Sequence, residues 1–306
     1  MVRRATKNFW CGLKKLADKI KRVGLIGNSE KVSSAGALIK AARLLRKAGR
    51  TVFSDANTAE LARLDGTVCA DPAELADAVD MLLVFGGDGT MLRVAREIAG
   101  SQTPILGINI GGLGFLTAVP SSGLAQALRQ VWSGNFKFEP RSLIEARIRC
   151  DGKPSRQSAL NDFVINRGIA SRLIELHVSV DGEPVTQYRC DGLIISSPTG
   201  STAYALAAGG PVVYPTAEVF QLTPICAHTL SNRSLVLPLT SEISVKVITP
   251  KPATLLSADG ELVTELSAGD EFTVHRSKRT VRLMHLQDTS FFETLRVKLH
   301  WRGAYL

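Results

Sequence analysis

The chain has 306 residues, of which 45% are apolar and 21% charged, so it is long enough for two ordinary domains and is not a wholly disordered protein. No apolar run approaches the about 18–20 residues that span a bilayer, which excludes a helical membrane protein. The five cysteines are scattered without a C-x-x-C pair, which argues against a zinc ribbon or a disulfide framework.

The net charge of +9 is concentrated at the N-terminus. Residues 1–22 contain eight basic residues and one acidic residue, whereas the rest of the chain contains 29 basic and 27 acidic residues. We interpret residues 1–21 as a solvated or frayed basic arm, with docking through a stripe of Leu13, Leu16 and Ile20 as the alternative. Because the rest of the chain has no basic stripe with interleaved aromatic residues, we expect no nucleic-acid partner and no membrane contact.

The sequence also bears on the cellular compartment. The basic start is not followed by the apolar segment of a secretory signal. The odd number of scattered cysteines suits a reducing compartment. We therefore expect a cytoplasmic protein.

Predicted strands and helices alternate over the first half of the chain. Helices are indicated by apolar residues at i, i+3, i+4 and i+7 from Leu38 to Leu45, by a capping pattern at Asp71-Pro72, and over residues 91–99. Buried strands are indicated by apolar runs at residues 23–27, 51–53, 80–85 and 104–109. This alternation predicts an α/β N-terminal domain, residues 22–140, with a mostly parallel sheet.

The periodicity of the sequence changes near residue 140. Apolar and polar residues alternate along residues 144–150 and 174–180, and each run is followed by Asp-Gly, which is typical of a β-hairpin. We predict an all-β, antiparallel and sandwich-like C-terminal domain over residues 141–290. The remaining C-terminal tail, residues 291–306, is expected to pack back on the first domain.

A glycine-rich segment, Gly86-Gly87-Asp88-Gly89-Thr90, follows the predicted strand at residues 80–85. Glycines at the carboxyl end of a parallel strand let a ligand approach the backbone, and the N-terminus of the next helix favours an anion. A carboxylate repels phosphate unless it holds a metal, takes a proton or binds a hydroxyl. Asp88 therefore points to phosphoryl transfer onto an alcohol, with a simple tight turn as the alternative. The P-loop and G-x-G-x-x-G patterns are absent.

Three further segments carry polar or glycine-rich patterns. Residues 107–116 form a second glycine cluster, which is either a ligand loop or a flexible connection. Hydroxyl side chains around Gly200 suit a loop that wraps a ribose or phosphate, and Tyr204 suits stacking on a base. Asn161-Asp162 offer an amide and a carboxylate before an apolar strand. The alternative for each polar cluster is a turn with local hydrogen bonds.

Taken in order, these segments resemble the NAD kinase family over roughly residues 22–290. The motif GGDGT alone is shared with 6-phosphofructokinases and with enzymes similar to diacylglycerol kinase and sphingosine kinase. The segment that begins RCDGLIISSPTGSTAY is far more specific to the NAD kinase family. The matching segments are VGLIGN, VFGGDGT, GINIGGLGFLT, LNDFVI, RCDGLIISSPTGSTAYALAAGGPVV, LTPICAHTLSNRSLVLP and LSADGE.

The resemblance implies that the γ-phosphate of ATP is transferred to the 2′-hydroxyl of the adenosine ribose of NAD. Some members of the family use polyphosphate in place of ATP as the phosphate donor. The resemblance also implies Mg²⁺ or Mn²⁺ carried with ATP, no metal site built by the protein alone, and a homodimer or homotetramer. Asp88 is the implied proton acceptor beside the phosphate loop of Gly86, Gly87, Gly89 and Thr90. The NAD-binding positions that it implies are Asp88, Gly89, Arg93, Asn161, Asp162, Arg172, Arg189, Asp191, Thr202, Ala203, Tyr204, Ala205, Leu206, Ala207 and Glu261.

Two positions depart from the family pattern. Ile110 stands where many members carry a basic residue, and Glu261 stands where the family often has glutamine, so it keeps an acceptor but loses a donor. The alternatives are a lipid or sugar kinase of the GGDGT group and a non-catalytic NAD(P)-binding sensor. The hydroxyl and amide clusters favour a nucleoside over a lipid, and a sensor would gain little from Asp88 beside phosphates.

Overall fold

The structure, a computed structural model, describes residues 14–28, 34–117, 119–150, 153–168, 172–228, 233–249 and 254–301. The chain divides into one unit made of Met1–Pro140 and Val281–Leu306 and a second made of Arg141–Thr280. Residues 281–290, which the sequence prediction assigned to the second domain, cluster with the first unit.

The first unit alternates strands and helices, as predicted. Strands β3, β2, β1, β4 and β5 lie side by side in that order, every neighbouring pair is parallel, and β6 is parallel to β5. The elements in chain order are β1 (Arg22–Gly27), α1 (Ser34–Lys47), β2 (Thr51–Asp55), α2 (Ala56–Ala62), β3 (Thr67–Cys69), α3 (Pro72–Ala78), β4 (Met81–Gly86), α4 (Asp88–Glu97), β5 (Ile105–Asn109), β6 (Val119–Pro120), α5 (Leu124–Trp132) and β7 (Phe136–Cys150), which continues into the second unit.

Two of the predicted helices form for the predicted reasons. α1 buries the apolar face that includes Leu38 and Leu45. α3 begins at Pro72, and the Asp71 carboxylate accepts the Glu74 backbone N–H at 2.8 Å. The Glu74 carboxylate reaches back and accepts the backbone N–H of Ala70, the residue before the N-cap, at 2.6 Å.

The described part of the basic arm packs through an apolar face while its lysines stay exposed. Residues 14–19 are helical, Ala17 and Ile20 are buried, and Leu16 packs against the core that includes Val23 and Leu25. Residues 14–20 therefore follow the alternative of docking and not that of a frayed arm, because burial of this apolar stripe offsets the entropy of ordering the segment. Leu13 lies outside the described residues.

The second unit is built from antiparallel strands in two sheets. One sheet has the order β14-β13-β12-β9-β16-β17; the other contains β11-β10-β15-β18, with β7 paired to β8. The elements are β8 (Lys153–Ala159), β9 (Asp162–Asn166), β10 (Ile174–Val180), β11 (Glu183–Cys190), β12 (Gly192–Ser196), α6 (Tyr204–Ala207), β13 (Val219–Ile225), β14 (Leu235–Pro238), β15 (Ile243–Val247), β16 (Thr254–Ala258), β17 (Glu261–Leu266) and β18 (Glu271–Leu286), whose end lies in the first unit.

The predicted β-sandwich is confirmed by its core. One continuous apolar cluster contains Phe163 and Leu193 from the first of these sheets and Leu176 and Phe272 from the second. The predicted hairpin at Asp181-Gly182 joins β10 to β11, with φ values of 52° and 83° that suit a two-residue turn. The Asp-Gly pair at residues 151–152 lies outside the described residues.

The first unit ends with a short helix. α7 (Phe291–Lys298) follows β18, buries Leu295 and belongs to the first unit. Within the described ranges, every helix is too short or too polar to serve as a membrane span.

Candidate functional site

The two glycine segments of the first unit follow neighbouring parallel strands. β4 and β5 pair so that Gly86 lies beside Asn109, and the Ile110 backbone N–H donates to the Gly86 carbonyl at 3.2 Å. Both segments therefore leave the same edge of the sheet, where open α/β sheets bind ligands. This placement depends on strand order, which local sequence patterns do not contain.

Asp88 is the first residue of α4, and its carboxylate is fixed by the second glycine segment. Oδ2 accepts the Phe115 backbone N–H at 2.9 Å and Oδ1 accepts the Leu116 backbone N–H at 3.0 Å. The helix begins at Asp88 and not at the predicted residue 91, because Gly87 takes the extended N-cap conformation. An ionised carboxylate has about four lone-pair sites, so Asp88 keeps acceptor capacity for a hydroxyl group.

Glycine is required where these segments meet. A Cβ at Gly114 would overlap Oδ1 of Asp88, and one at Gly107 would lie 2.7 Å from the Leu116 carbonyl. Gly87 and Gly89, in contrast, have open space where a Cβ would point. The first two glycines allow the carboxylate to dock on the backbone, and the other two leave the N-terminus of α4 accessible to an anion.

The second glycine segment is a fixed loop and not a flexible connection. The Asn109 side chain donates to the Gly112 carbonyl at 2.7 Å and to Thr117 Oγ1 at 2.8 Å. Its carbonyl oxygen accepts the Gly111 backbone N–H at 2.6 Å. Ile110 packs against the apolar core of the first unit, which accounts for an apolar residue at this position.

The other predicted residues of this loop have mixed surroundings. Thr90 is buried, with its hydroxyl against Gly86, so it supports the loop from inside. Gly89 is exposed. Arg93 lies further along α4 and forms an ion pair with Glu97 at 3.0 Å.

A second polar cluster lies in the second unit, where β9 begins. Asn161 and Asp162 are buried, and Asp162 pairs with Ser196 of β12. The Ser197 backbone N–H donates to the Asn161 carbonyl at 2.8 Å. From the other side, the Asp259 carboxylate accepts the Asn161 backbone N–H at 2.7 Å. The backbone of this amide–carboxyl pair is therefore held by both neighbouring strands.

The Asp162 carboxyl has an unusual electrostatic environment. Burial, and then the negative charge of Asp259, raise the pKa of Asp162 to about 7. Within the described part of the chain no hydrogen bond reaches its side chain, so nothing offsets the desolvation of its ionised form. Asp162 therefore changes charge in the neutral pH range.

The serine hydroxyls predicted to wrap a ribose or phosphate donate hydrogen bonds to backbone carbonyls of the same unit. Ser197 Oγ donates to the Leu160 carbonyl at 2.5 Å, and Ser201 Oγ donates to the Pro198 carbonyl at 2.8 Å. Ser196 Oγ donates to the Ser197 carbonyl at 2.8 Å. These three hydroxyls therefore favour the alternative of a turn with local hydrogen bonds, because their protons already satisfy backbone carbonyls.

The segment from Thr202 to Ala207 follows this serine-rich loop. Thr202, Ala203 and Leu206 are half-buried, Ala205 is fully buried and Ala207 is exposed. The Tyr204 ring is 47% exposed, so one face is available for stacking.

The charged candidates of the second unit have partners of their own. Asp191 Oδ1 forms an ion pair with Arg167 at 2.7 Å, and Arg189 pairs with Glu175 at 3.0 Å. Arg172 and Glu261 are exposed, before β10 and at the start of β17.

Sequence reasoning missed four residues that shape these clusters. Asn109 and Asp259 fix the loops through hydrogen bonds. Arg167 reaches Asp191 because the residues next to them in the chain, Asn166 and Gly192, pair across β9 and β12. Lys298 of α7 lies 5.7 Å from the centre of the Phe115 ring, in cation–π distance. The buried-strand pattern before Asn109 and the Asp-Gly turn at Asp259 were usable signals; the other two contacts depend on tertiary structure.

Comparisons with known proteins agree with this arrangement. Residues 23–136 match the sequence model of the ATP-NAD kinase N-terminal domain and residues 160–286 that of the ATP-NAD kinase C-terminal domain. The NAD kinase of Paraburkholderia phytofirmans is 42% identical over 287 residues, which cover 94% of this chain and 95% of that protein. The NAD kinase of Burkholderia pseudomallei is 40% identical, with 94% and 96% covered.

Two solved structures are similar over most of their length. Yeast NADH kinase complexed with NADH superposes with a TM-score of 0.84 at 25% identity, covering 94% of this chain and 89% of that one. An NAD kinase from Archaeoglobus fulgidus in complex with ATP superposes with a TM-score of 0.69 at 25% identity, covering 92% and 100%. The chain therefore belongs to the ATP-NAD kinase family, the phosphotransferases that convert NAD to NADP.

Proposed function

We propose that this NAD kinase transfers the γ-phosphate of ATP to the 2′-hydroxyl of the adenosine ribose of NAD, with Asp88 as the group that orients and deprotonates that hydroxyl. The observation that carries this assignment is the pair of backbone N–H groups, from Phe115 and Leu116, that fixes the Asp88 carboxylate. The proposal is supported by the NAD kinase relatives over the lipid, sugar and sensor alternatives.

Asp88 is suited to a proton transfer that occurs late in the reaction. Phosphoryl transfer passes through a loose transition state, in which the attacking oxygen carries little negative charge until the new bond forms. A fixed carboxylate first aligns the hydroxyl as a hydrogen-bond acceptor and then takes its proton. Because the backbone already holds the carboxylate, little rotational freedom is lost when the substrate binds.

The N-terminus of α4 is suited to the phosphates of the donor. Gly87 and Gly89 leave its backbone N–H groups accessible, and the helix dipole favours an anion there. Lys298, beside the Phe115 ring, adds a positive charge close to the second glycine segment.

The residues present fit a divalent cation that arrives with ATP. Among the described residues no three His, Cys, Asp or Glu side chains converge on one point. Mg²⁺ commonly takes most of its oxygen ligands from phosphates and water, so the triphosphate would hold it and the Asp88 carboxylate would stay available to the hydroxyl. When bound, the cation neutralises charge on the phosphate oxygens.

The second unit supplies the residues that we assign to NAD. Asn161 and Asp162 offer hydrogen-bonding groups from a rigid backbone, and the exposed Tyr204 ring offers a stacking surface. Arg189 and Asp191 are assigned to NAD as well. These groups contact the substrate in the ground state and in the transition state alike, so their loss is expected to raise KM more than it lowers kcat.

The test is an assay of NADP formation with purified protein, ATP and Mg²⁺. NADH is compared with NAD as acceptor, and polyphosphate with ATP as donor. Fructose 6-phosphate and a diacylglycerol serve as acceptors that a different GGDGT kinase would use. Turnover of NAD with ATP supports the proposal, and exclusive turnover of either other acceptor contradicts it.

Two expectations stay predictions. A cytoplasmic location is one. The other is a homodimer or homotetramer, for which exposed Val236 on β14 and Leu262 on β17 offer apolar surface at the two edges of one sheet. Light scattering on the purified protein tests the oligomeric state.

A further inference from the structure

Asp259 lies in the tight turn between β16 and β17, outside every residue assigned above to the reaction. It has φ of 49° and is followed by Gly260 with φ of 84°, as in other two-residue hairpins. β16 pairs with β9 so that Ala258 lies beside Phe163, and this register brings the turn to the start of β9.

The carboxylate of Asp259 accepts three consecutive backbone N–H groups. Its two oxygens accept from Leu160 at 3.0 Å, from Asn161 at 2.7 Å and from Asp162 at 3.3 Å. The Asp259 backbone N–H donates to the Asp162 carbonyl at 3.0 Å. Hydrogen bonds to an ionised acceptor are roughly twice as strong as neutral ones, so this turn fixes the backbone of residues 160–162 firmly.

Another Asp-Gly turn shows what a purely structural aspartate does in this fold. Asp181, with φ of 52°, precedes Gly182 and accepts the Glu242 backbone N–H at 2.8 Å. It touches no residue assigned to substrate. Asp259 shares this turn geometry, but two of its three carboxylate bonds go to Asn161 and Asp162, the residues assigned to NAD.

We propose that Asp259 is a positioning residue for nucleotide binding, which fixes the backbone of Asn161 and Asp162 so that their side chains meet NAD in one orientation. Asp259 acts through these two residues and makes no contact with the substrate itself. The inference rests on the proposed role of Asn161 and Asp162 as NAD ligands.

Asp259 also acts on Asp162 through its charge. The residue beside Asp162 on the paired strand β12 is the neutral Ser196. In the loop after β12, Thr199 Oγ1 accepts a hydrogen bond from the cationic Arg141 at 3.3 Å. The carboxylate that faces Asp162 from the β16–β17 turn is Asp259, which raises the pKa of Asp162 after the larger effect of burial. Removal of this charge is therefore expected to lower the pKa of Asp162.

The experiment compares Asp259→Asn with Asp181→Asn as its matched control. Asparagine tolerates the left-handed backbone at both turns, but at position 259 it places an amide N–H₂ against backbone donors. We expect Asp259→Asn to raise the KM for NAD about tenfold with kcat within about threefold, as for the loss of a charge-assisted hydrogen bond. The pH at which the KM for NAD changes as Asp162 ionises, which we call the pH midpoint, should move to a lower value. Asp181→Asn should leave both quantities as in the wild type.

A second variant separates geometry from charge. Asp259→Glu keeps the negative charge but cannot reach all three N–H groups from the same turn, so KM should rise with the pH midpoint unchanged. This variant also decides the matter if Asp259→Asn does not fold. An unchanged KM in the folded Asp259 variants, or an equal rise in Asp181→Asn, overturns the inference.

Asn161→Ala distinguishes this inference from the assignment on which it rests. If Asn161→Ala leaves the KM for NAD unchanged, the proposed NAD-binding role of the pair is wrong. If Asn161→Ala raises KM and the Asp259 variants do not, the role of the pair stands and Asp259 is a structural turn residue.

Discussion

Replacement of Asp88 by asparagine tests the proposed chemistry most directly. The substitution removes the proton acceptor but keeps the shape of the side chain and one acceptor oxygen. We expect kcat to fall by about 10²–10⁴, the usual range for a positioned acid–base group. The KM for NAD should change much less, because the retained oxygen still accepts a hydrogen bond from the ribose.

The hydrogen bonds of Asp88 also predict the effect on stability. Asparagine can accept from either Phe115 or Leu116 but not fully from both, since its amide nitrogen is a donor. One partly buried backbone N–H is left without its acceptor, which costs roughly 1–3 kcal/mol. For a domain of about 150–250 residues this lowers Tm by roughly 2–12 °C. The protein should therefore remain folded at assay temperature.

The assay couples NADP formation to an NADP-specific dehydrogenase under saturating ATP and Mg²⁺, with Tm measured on the same preparations. Asp71→Asn is the matched control, because Asp71 also accepts an N–H at the start of a helix of the first unit and asparagine is an equally good N-cap. Full activity of a folded Asp88→Asn would refute the assignment of Asp88 as the base. Equal losses in both variants would point to a general effect on folding.

Three more predictions follow from particular contacts. Gly114→Ala should lower kcat at least tenfold although Asp88 is still present, because the added Cβ overlaps the Asp88 carboxylate and displaces it. An unchanged kcat would show that the orientation of this carboxylate is unimportant. Asp162→Asn should raise the free energy of unfolding, measured with urea, by a few kcal/mol at about pH 8 but by little at about pH 4. The reason is that the raised pKa of Asp162 makes its ionisation in the folded protein costly. An equal effect at both pH values contradicts this. Deletion of residues 1–20 should lower Tm through loss of buried Ala17 and Ile20, and an unchanged Tm would show that the arm does not dock.

The fold class could be predicted from the sequence because its signals are local. Continuous apolar runs such as Met81–Gly86 indicate buried parallel strands, and the alternation along Ile174–Val180 indicates a sheet with one buried face. The Asp181-Gly182 turn follows from the left-handed conformations that these residues tolerate. Each of these signals depends on a few neighbouring residues.

The candidate site could be predicted only in part, since it depends on strand register. The sequence identifies Asp88 and Asn161-Asp162 as unusual polar residues at strand ends. It does not show that Phe115 and Leu116 fix Asp88, which requires β4 and β5 to be neighbours. The sequence left two alternatives for the serine-rich loop, because composition does not show whether a hydroxyl donates to a ligand or to a backbone carbonyl.

Asp88 and Asp162 differ in burial and in the hydrogen bonds that their carboxyl groups accept, and this contrast supports the different roles proposed for them. Asp88 is half-buried, and two backbone N–H groups hold its carboxylate in one orientation with acceptor capacity left for a hydroxyl. Asp162 is almost fully buried beside a second carboxylate, so its ionised form is disfavoured near neutral pH. A proton acceptor must be accessible and aligned with the hydroxyl that it deprotonates, whereas a recognition group need only present a fixed polar surface. The fixed, partly accessible carboxylate of Asp88 therefore supports the proposal that Asp88 is the base, and the burial of Asp162 supports the proposal that it binds the substrate.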